Sequence, residues 1–194
     1  MKKKYELTLE TIEVDGHTLH RIRALRDFRN VISRSLGGFI ESEDNLSHEG
    51  DCWVYDEARI YENARISENA RVYNEAKVYG DVRAYEYAQV FSNALVFEKA
   101  QIYGRAWVYN NTWVYGNAKI YGFAEISHIK VYDNAQIFEF AITFGDIRIY
   151  GNSCVCGDLT MDVDLDHGIW NNIVVTKDDH RYLISTTLEK ILLE

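Results

Sequence analysis

From Cys52 onward, a small residue recurs every six positions along this chain. The series runs Ala58, Ala64, Ala70, Ala76, Ala88, Ala94, Ala100, Ala106, Ala118 and Ala124, with Val82 and Thr112 filling the two gaps. Two residues after each stands an aliphatic, from Val54, Ile60 and Ile66 through to Ile120 and Ile126, with Ala84 the exception. The next position is usually aromatic, as in Tyr61, Tyr79, Tyr85 and Tyr121, and two turn formers follow, such as Glu62-Asn63 or Gly116-Asn117. The unit is Ala-x-Val-Tyr-turn-turn. Alternation over four residues places the small and aliphatic side chains on one face of a short strand and the other two on the opposite face. The two turn residues make a corner. A helix at 3.6 residues per turn would scatter a six-residue period around its axis, so the pattern predicts strands.

A single short strand cannot bury its apolar face, so the hexads must stack. Three hexads per coil predict an 18-residue circumference, with equivalent positions lying over one another at about 4.8 Å. After Ala124 the phase slips by one residue. Ile129, Ala135, Ala141, Ile147, Ser153 and Leu159 then take the inward small position, and His128 sits at the shortened corner.

The ends depart from the repeat. Residues 5–14 and 17–25 read as two strands around Asp15-Gly16, a strong hairpin signal, and Leu36 to Leu46 leads into the first coil. Near the other end, Ile169–Thr176 and Arg181–Ser185 read as a hairpin, and Thr187–Leu193 as a short helix with Leu188, Ile191 and Leu192 on one side. The expected organisation is one structural domain, with a cap over 1–45, a β-helix over 46–162 and a second cap over 163–194.

An inward aliphatic followed four residues later by a small residue resembles the hexapeptide-repeat, left-handed parallel β-helix proteins, and the likeness covers 46–162. Left-handedness is what the resemblance implies. Tyr or Phe after the aliphatic is a departure, since enzymes of this class often carry Gly, Ala, Glu or Asp there. The stretches Arg23-Ala24-Leu25-Arg26-Asp27-Phe28 and Leu36 to Leu46 resemble the leader of repeat proteins often encoded by phages and prophages. The fold class expected is all-β, with a hairpin cap at the front and a hairpin-plus-helix cap at the back.

Charge adds a polarity to this rod. The net charge is −9. Eight basic and five acidic residues lie in 1–40, six against thirteen in 41–100, four of each in 101–157, and three against eight in 158–194. A direct nucleic-acid binder would be basic along its length, so none is expected. No apolar run reaches membrane-span length, and Met1-Lys2-Lys3-Lys4-Tyr5 leads into a polar strand rather than a signal core. The expected location is the cytoplasm, that of the host cell for a phage protein.

Candidate chemistry is sparse. Three cysteines without a C-x-x-C pair argue against a disulfide scaffold or a zinc site. Asp162, Asp164 and Asp166 lack the glycine and bidentate glutamate of a calcium loop. Neither metal nor cofactor is expected. Stacking by eighteen brings Leu95, Phe97, Trp113 and Tyr115 together on one wall, and Phe91, Trp107 and Tyr109 on the next. These are either strand-stabilising ladders or a surface for self-association or partner docking. An acidic belt of Glu41, Glu43, Asp44, Glu49, Asp51, Asp56 and Glu57 is either solvated or fitted to a groove that normally takes phosphates. The interleaved Arg59, Arg65, Arg71, Lys77 and Arg83 work against pure mimicry. Likeness to hexapeptide-repeat acyltransferases, which use coenzyme A and a histidine base, makes His128 the catalytic alternative. The expectation is a non-catalytic binding or inhibitor protein, a phage accessory or anti-CRISPR-like factor docking on a host nucleic-acid-binding effector, without membrane contact.

Overall fold

The computed structural model describes residues 3–157 and, as backbone, the strands Thr160–Asp162, Gly168–Asn171 and Val174–Val175. The hexads become strands of two to four residues that visit three parallel sheets in rotation. The first wall stacks Arg59, Lys77, Leu95, Trp113 and Lys130. The second stacks Trp53, Arg71, Gln89, Trp107 and Glu125. The third stacks Arg65, Arg83, Gln101, Lys119 and Gln136. This is the hexapeptide-repeat-like parallel β-helix that the periodicity predicts.

The alternation is what builds the core. In each rung the small residue and the aliphatic two positions on are sealed from solvent, as with Ala100 and Ile102, both 0% exposed. The residue between them points outward. Burying each valine or isoleucine contributes roughly 1.5–3 kcal/mol. Their backbone groups pair from rung to rung: the Gln101 N–H donates to the Ala118 carbonyl at 3.0 Å, and the Lys119 N–H to the Ala135 carbonyl at 2.9 Å.

Corners turn through a left-handed backbone residue every six positions, including Glu62, Asn74 and Glu98 with φ of 57°, 58° and 59°. At Gly50 the requirement is absolute, because a Cβ would lie 2.2 Å from the Glu68 carbonyl oxygen on the next rung. His128 (φ 58°) occupies one of these corners, and the residue that follows at other corners is missing. The register step therefore drops from 18 to 17 residues for Trp113 to Lys130, Lys119 to Gln136 and Glu125 to Ile142, and returns to 18 at Lys130 to Arg148. Ile129, Ala135, Ala141, Ile147 and Ser153 are buried as the shifted phase predicts, while Leu159 lies outside the described residues.

At the front end, β1 (Tyr5–Val14) and β2 (His17–Ala24) form an antiparallel hairpin. Its turn residues Asp15 and Gly16 both have positive φ, 51° and 87°, the geometry that matches strand twist. Strand β3 (Leu36–Ile40) pairs antiparallel with β2 and parallel with Arg59–Ile60, so the cap joins the first wall as one sheet. Trp53 plugs the lid, edge-on to Tyr5 and Phe28 at ring separations of 6.1 and 5.3 Å. At the far end Gly168–Asn171 adds in parallel to Ile147–Tyr150, and Val174–Val175 to Cys154–Val155, so rungs run on past residue 162. The expected strand Arg181–Ser185 and helix Thr187–Leu193 lie outside the described residues.

Candidate binding surfaces

Stacked rungs carry the outward aromatics into continuous columns. One column runs Tyr61, Tyr79, Phe97, Tyr115, Tyr132 and Tyr150, with ring centroids 4.8–5.2 Å apart. A second runs Tyr55, Tyr73, Phe91 and Tyr109, and a third Tyr85, Tyr103, Tyr121 and Phe138. Such ring pairs contribute about 0.5–1.5 kcal/mol each beyond area burial. Packing also hides the ring faces. Phe91, Phe97, Tyr109 and Tyr115 are half-buried, and desolvation pushes the tyrosine hydroxyls of positions 109 and 115 up in pKa.

The indoles stand further out. Trp113 lies opposite Leu95 on the first wall, with the Lys130 ammonium 4.2 Å from its ring centre. Trp107 meets Phe91 edge-on at 6.2 Å on the second wall. They remain 38% and 39% exposed, one hexad apart across a single corner. The predicted neighbours Leu95, Phe97, Trp113 and Tyr115, and Phe91, Trp107 and Tyr109, do come together as two patches.

Much of the acidic belt holds the cap. Glu41 pairs with His17 at 3.0 Å and accepts the Glu62 N–H at 2.6 Å. The His17 hydrogen bond, opposed by partial burial, draws the Glu41 carboxyl below its ordinary pKa, and the same bond raises His17. Glu43 binds Lys3 at 2.6 Å and lies 3.5 Å from His48. Arg21 bridges Glu10 and Glu57 at 2.7 and 2.9 Å, with its guanidinium 4.1 Å from the Phe39 ring centre. Asp56 accepts the Asn74 N–H of the next rung at 2.9 Å. Asp44 and Glu49 are exposed around the first coil, and Asp51 is half-buried there.

His128 is exposed, its Nδ1 2.8 Å from the Ser127 hydroxyl, which also accepts from Asn110 Nδ2 at 2.7 Å. Ser127 holds the place where the second column would carry a ring, between Tyr109 and Phe144. This polar trio interrupts the ladder at the shortened corner. The Ser127 contact orients the imidazole and leaves Nε2 as the nitrogen turned to other uses.

Two features were hidden in the pattern. Lys4 is fully buried, its ammonium 2.8 Å from the Cys52 carbonyl and 3.2 Å from the Cys52 sulfur. Burial pulls the Lys4 pKa down and pushes the Cys52 thiol up. The second is a concavity of about 510 Å³ on the third wall around Arg65 and Arg83. Its only signal in the sequence is two arginines eighteen residues apart with a serine, Ser67, in a ring position.

Residues 58–74 and 100–116 match the YdcK beta-solenoid repeat family. The chain is 38% identical over 66 residues to an Escherichia coli K12 protein named uncharacterized acetyltransferase YdcK. That match covers 30% of this chain and 20% of the relative, so this chain aligns with about a fifth of that protein's length. Among the described residues no helix is long and apolar enough to cross a membrane.

Proposed function

We propose that this chain is a rigid, non-catalytic binding module whose solenoid walls dock on protein surfaces. The observation that carries this reading is the pair of outward indoles, Trp107 and Trp113, held on adjacent walls at more than a third exposure. Tryptophan in a stiff setting is the side chain that most often anchors an interface. Hydrogen-bonded rungs and stacked rings fix the backbone beneath, so little ordering entropy opposes docking. Sedimentation velocity and partner capture with Trp107→Asp/Trp113→Asp test the reading. Lost self-association or lost capture, with an unchanged circular dichroism spectrum, supports it. Unchanged behaviour in both assays refutes it.

A narrower form makes the partner a host nucleic-acid-binding effector, with the chain as an anti-defence inhibitor. Its support is the outward acids Asp44, Glu49 and Asp51 beside the cap, since Glu41, Glu43, Asp56 and Glu57 are engaged within the fold. Reversing the charge of Asp44 and Glu49 should abolish competition with nucleic acid for such an effector. Retained competition removes the narrower form and leaves the docking module.

A second reading is favoured by the relative's printed name and by the Asn110–Ser127–His128 trio. In it, His128 Nε2 removes a proton from an acceptor nucleophile as that atom attacks the thioester carbonyl of an acyl-coenzyme A. The C–S bond then breaks to release coenzyme A, whose thiolate takes the proton back from the imidazolium. Calorimetry with acetyl-coenzyme A separates the readings. Heat of binding that persists in His128→Ala, joined to lost transfer, supports the enzyme, and no heat supports the module.

A further inference from the structure

We propose that the concavity on the third wall is an anion site that takes the phosphate group of a small molecule, gripped between Arg65 and Arg83. The concavity has a structural cause. The third aromatic column starts only at Tyr85, because the corresponding position one rung earlier is Ser67, whose N–H donates to the Ala84 carbonyl at 3.0 Å. Ser47 precedes it, fixed by its own N–H on the Ile66 carbonyl at 2.9 Å. Two serines in place of rings leave a step of about 510 Å³, within the size range of small-ligand sites. One face of Tyr85 is stacked on Tyr103 at 5.0 Å, and its other face fronts the level of Ser67.

Beside this step the outward residues are Arg65 and Arg83, directly opposite each other in parallel register, followed by Gln101. Like charges facing across adjacent strands repel, at a rung spacing of about 4.8 Å. The carboxylate pairs of the described residues all involve the front cap, and none involves either arginine. Asp44 also lines the concavity without pairing with either guanidinium, so the lining carries two positive charges and one negative, while Glu68 and Glu86 act on Tyr85 from beside it. Neither guanidinium is committed to a hydrogen bond with the protein among the described residues. Planar forks of this kind suit the tetrahedral face of a phosphate, one on each side, as charge-assisted bonds. Ser47, Ser67, Tyr85 and Gln101 supply neutral donors around it. A bound dianion would turn a repulsive pair into an attractive bridge.

The test is titration of the full chain with inorganic phosphate and then pyrophosphate, followed by amide chemical shifts and thermal melting, with chloride at matched ionic strength as the control. Expected are saturable shifts at Ser47, Ser67, Tyr85 and Gln101 and a phosphate-dependent rise in Tm. Arg65→Gln or Arg83→Gln should weaken the binding by about tenfold or more, the loss expected for a charge-assisted contact. Arg105→Gln, at an exposed corner on another part of the coil, should bind as the unaltered protein does. Both arginines are exposed, so the variants should keep the fold. Shifts no larger than those from chloride, or equal affinity in Arg65→Gln and the unaltered chain, overturn the proposal.

Discussion

Ala106→Leu probes how tightly the rungs are held. Ala106 is 0% exposed and sits inward just after a corner, between Ala88 and Ala124 on the flanking rungs of the second wall, which are also 0% exposed. The spacing cannot relax locally. The Gln89 N–H donates to the Ala106 carbonyl at 2.9 Å, and the Trp107 N–H to the Ala124 carbonyl at 2.8 Å. Leucine adds three carbons where the two methyl neighbours lie a rung away, about 4.8 Å, while carbon atoms need about 3.5–4.0 Å of their own. The added branch must therefore push into Val108 or across the core. Overpacking of this kind costs roughly 1–3 kcal/mol. For a chain of this size that is a Tm lower by about 2–12 °C. Thermal melting followed by circular dichroism reads it directly, with Ala106→Val expected at the mild end. A Leu variant that melts with the unaltered protein refutes the tight convergence of walls at the small position.

Other perturbations reach different parts of the fold. Tyr103→Ala loses ring contacts on both sides, to Tyr85 and Tyr121, and should cost about 1–3 kcal/mol for the two stacks alone. Phe123→Ala loses one ring stack, on Phe140, and the Arg105 guanidinium over its ring, and should melt higher than Tyr103→Ala. The His17–Glu41 pair makes docking of the hairpin pH-dependent. His17 is raised from 6.5, so its contribution is fully present below pH 6.5 and is lost as pH climbs through the higher folded value. Glu41 is lowered from 4.5, so its contribution is present above pH 4.5 and is lost as pH falls through the lower folded value. The Tm gap between the unaltered protein and His17→Gln should therefore be widest between these limits, and a gap independent of pH contradicts the pairing. Lys4, lowered from 10.5 by burial, binds fewer protons folded than unfolded. Relative to Lys4→Met, the unaltered chain should gain stability as pH rises towards 10.5, and a flat difference would show that the amine is solvated.

The coils were legible because one six-residue pattern serves every rung: the same alternation that seals Ala100 and Ile102 recurs at Ala118 and Ile120. Even the lost corner residue at His128 could be read, since every inward position beyond it shifts together. The hairpin was equally plain in Asp15-Gly16. What the pattern does not carry is how outward residues share space. Phe97 and Tyr115 share a wall as expected, but they stack face to face, so the patch presents ring edges and the indoles of Trp107 and Trp113 instead. The belt reads as a run of free acids, whereas Glu41 and Glu57 answer His17 and Arg21, partners 24 and 36 residues away with no period to announce them. Lys4 looks like part of a solvated basic leader, yet it is sealed against Cys52 because the hairpin folds over the first coil. Long-range contacts between cap and coil follow from where the lid lands, and no local pattern encodes that landing.

The most direct measurement of the stacked-wall account is disulfide cross-linking across the shortened corner. Lys119 and Gln136 are register partners 17 residues apart on the outer face of the third wall, whereas Ile137 is 0% exposed and points inward. Neighbouring rungs about 4.8 Å apart fall within the span a disulfide bridges. In a background with Cys52, Cys154 and Cys156 replaced by serine or alanine, Lys119→Cys/Gln136→Cys should oxidise readily to an intramolecular bond. Lys119→Cys/Ile137→Cys, with the uniform 18-residue spacing, should stay reduced. The opposite outcome, a bond in the second pair and none in the first, would contradict the register on which every surface described above depends.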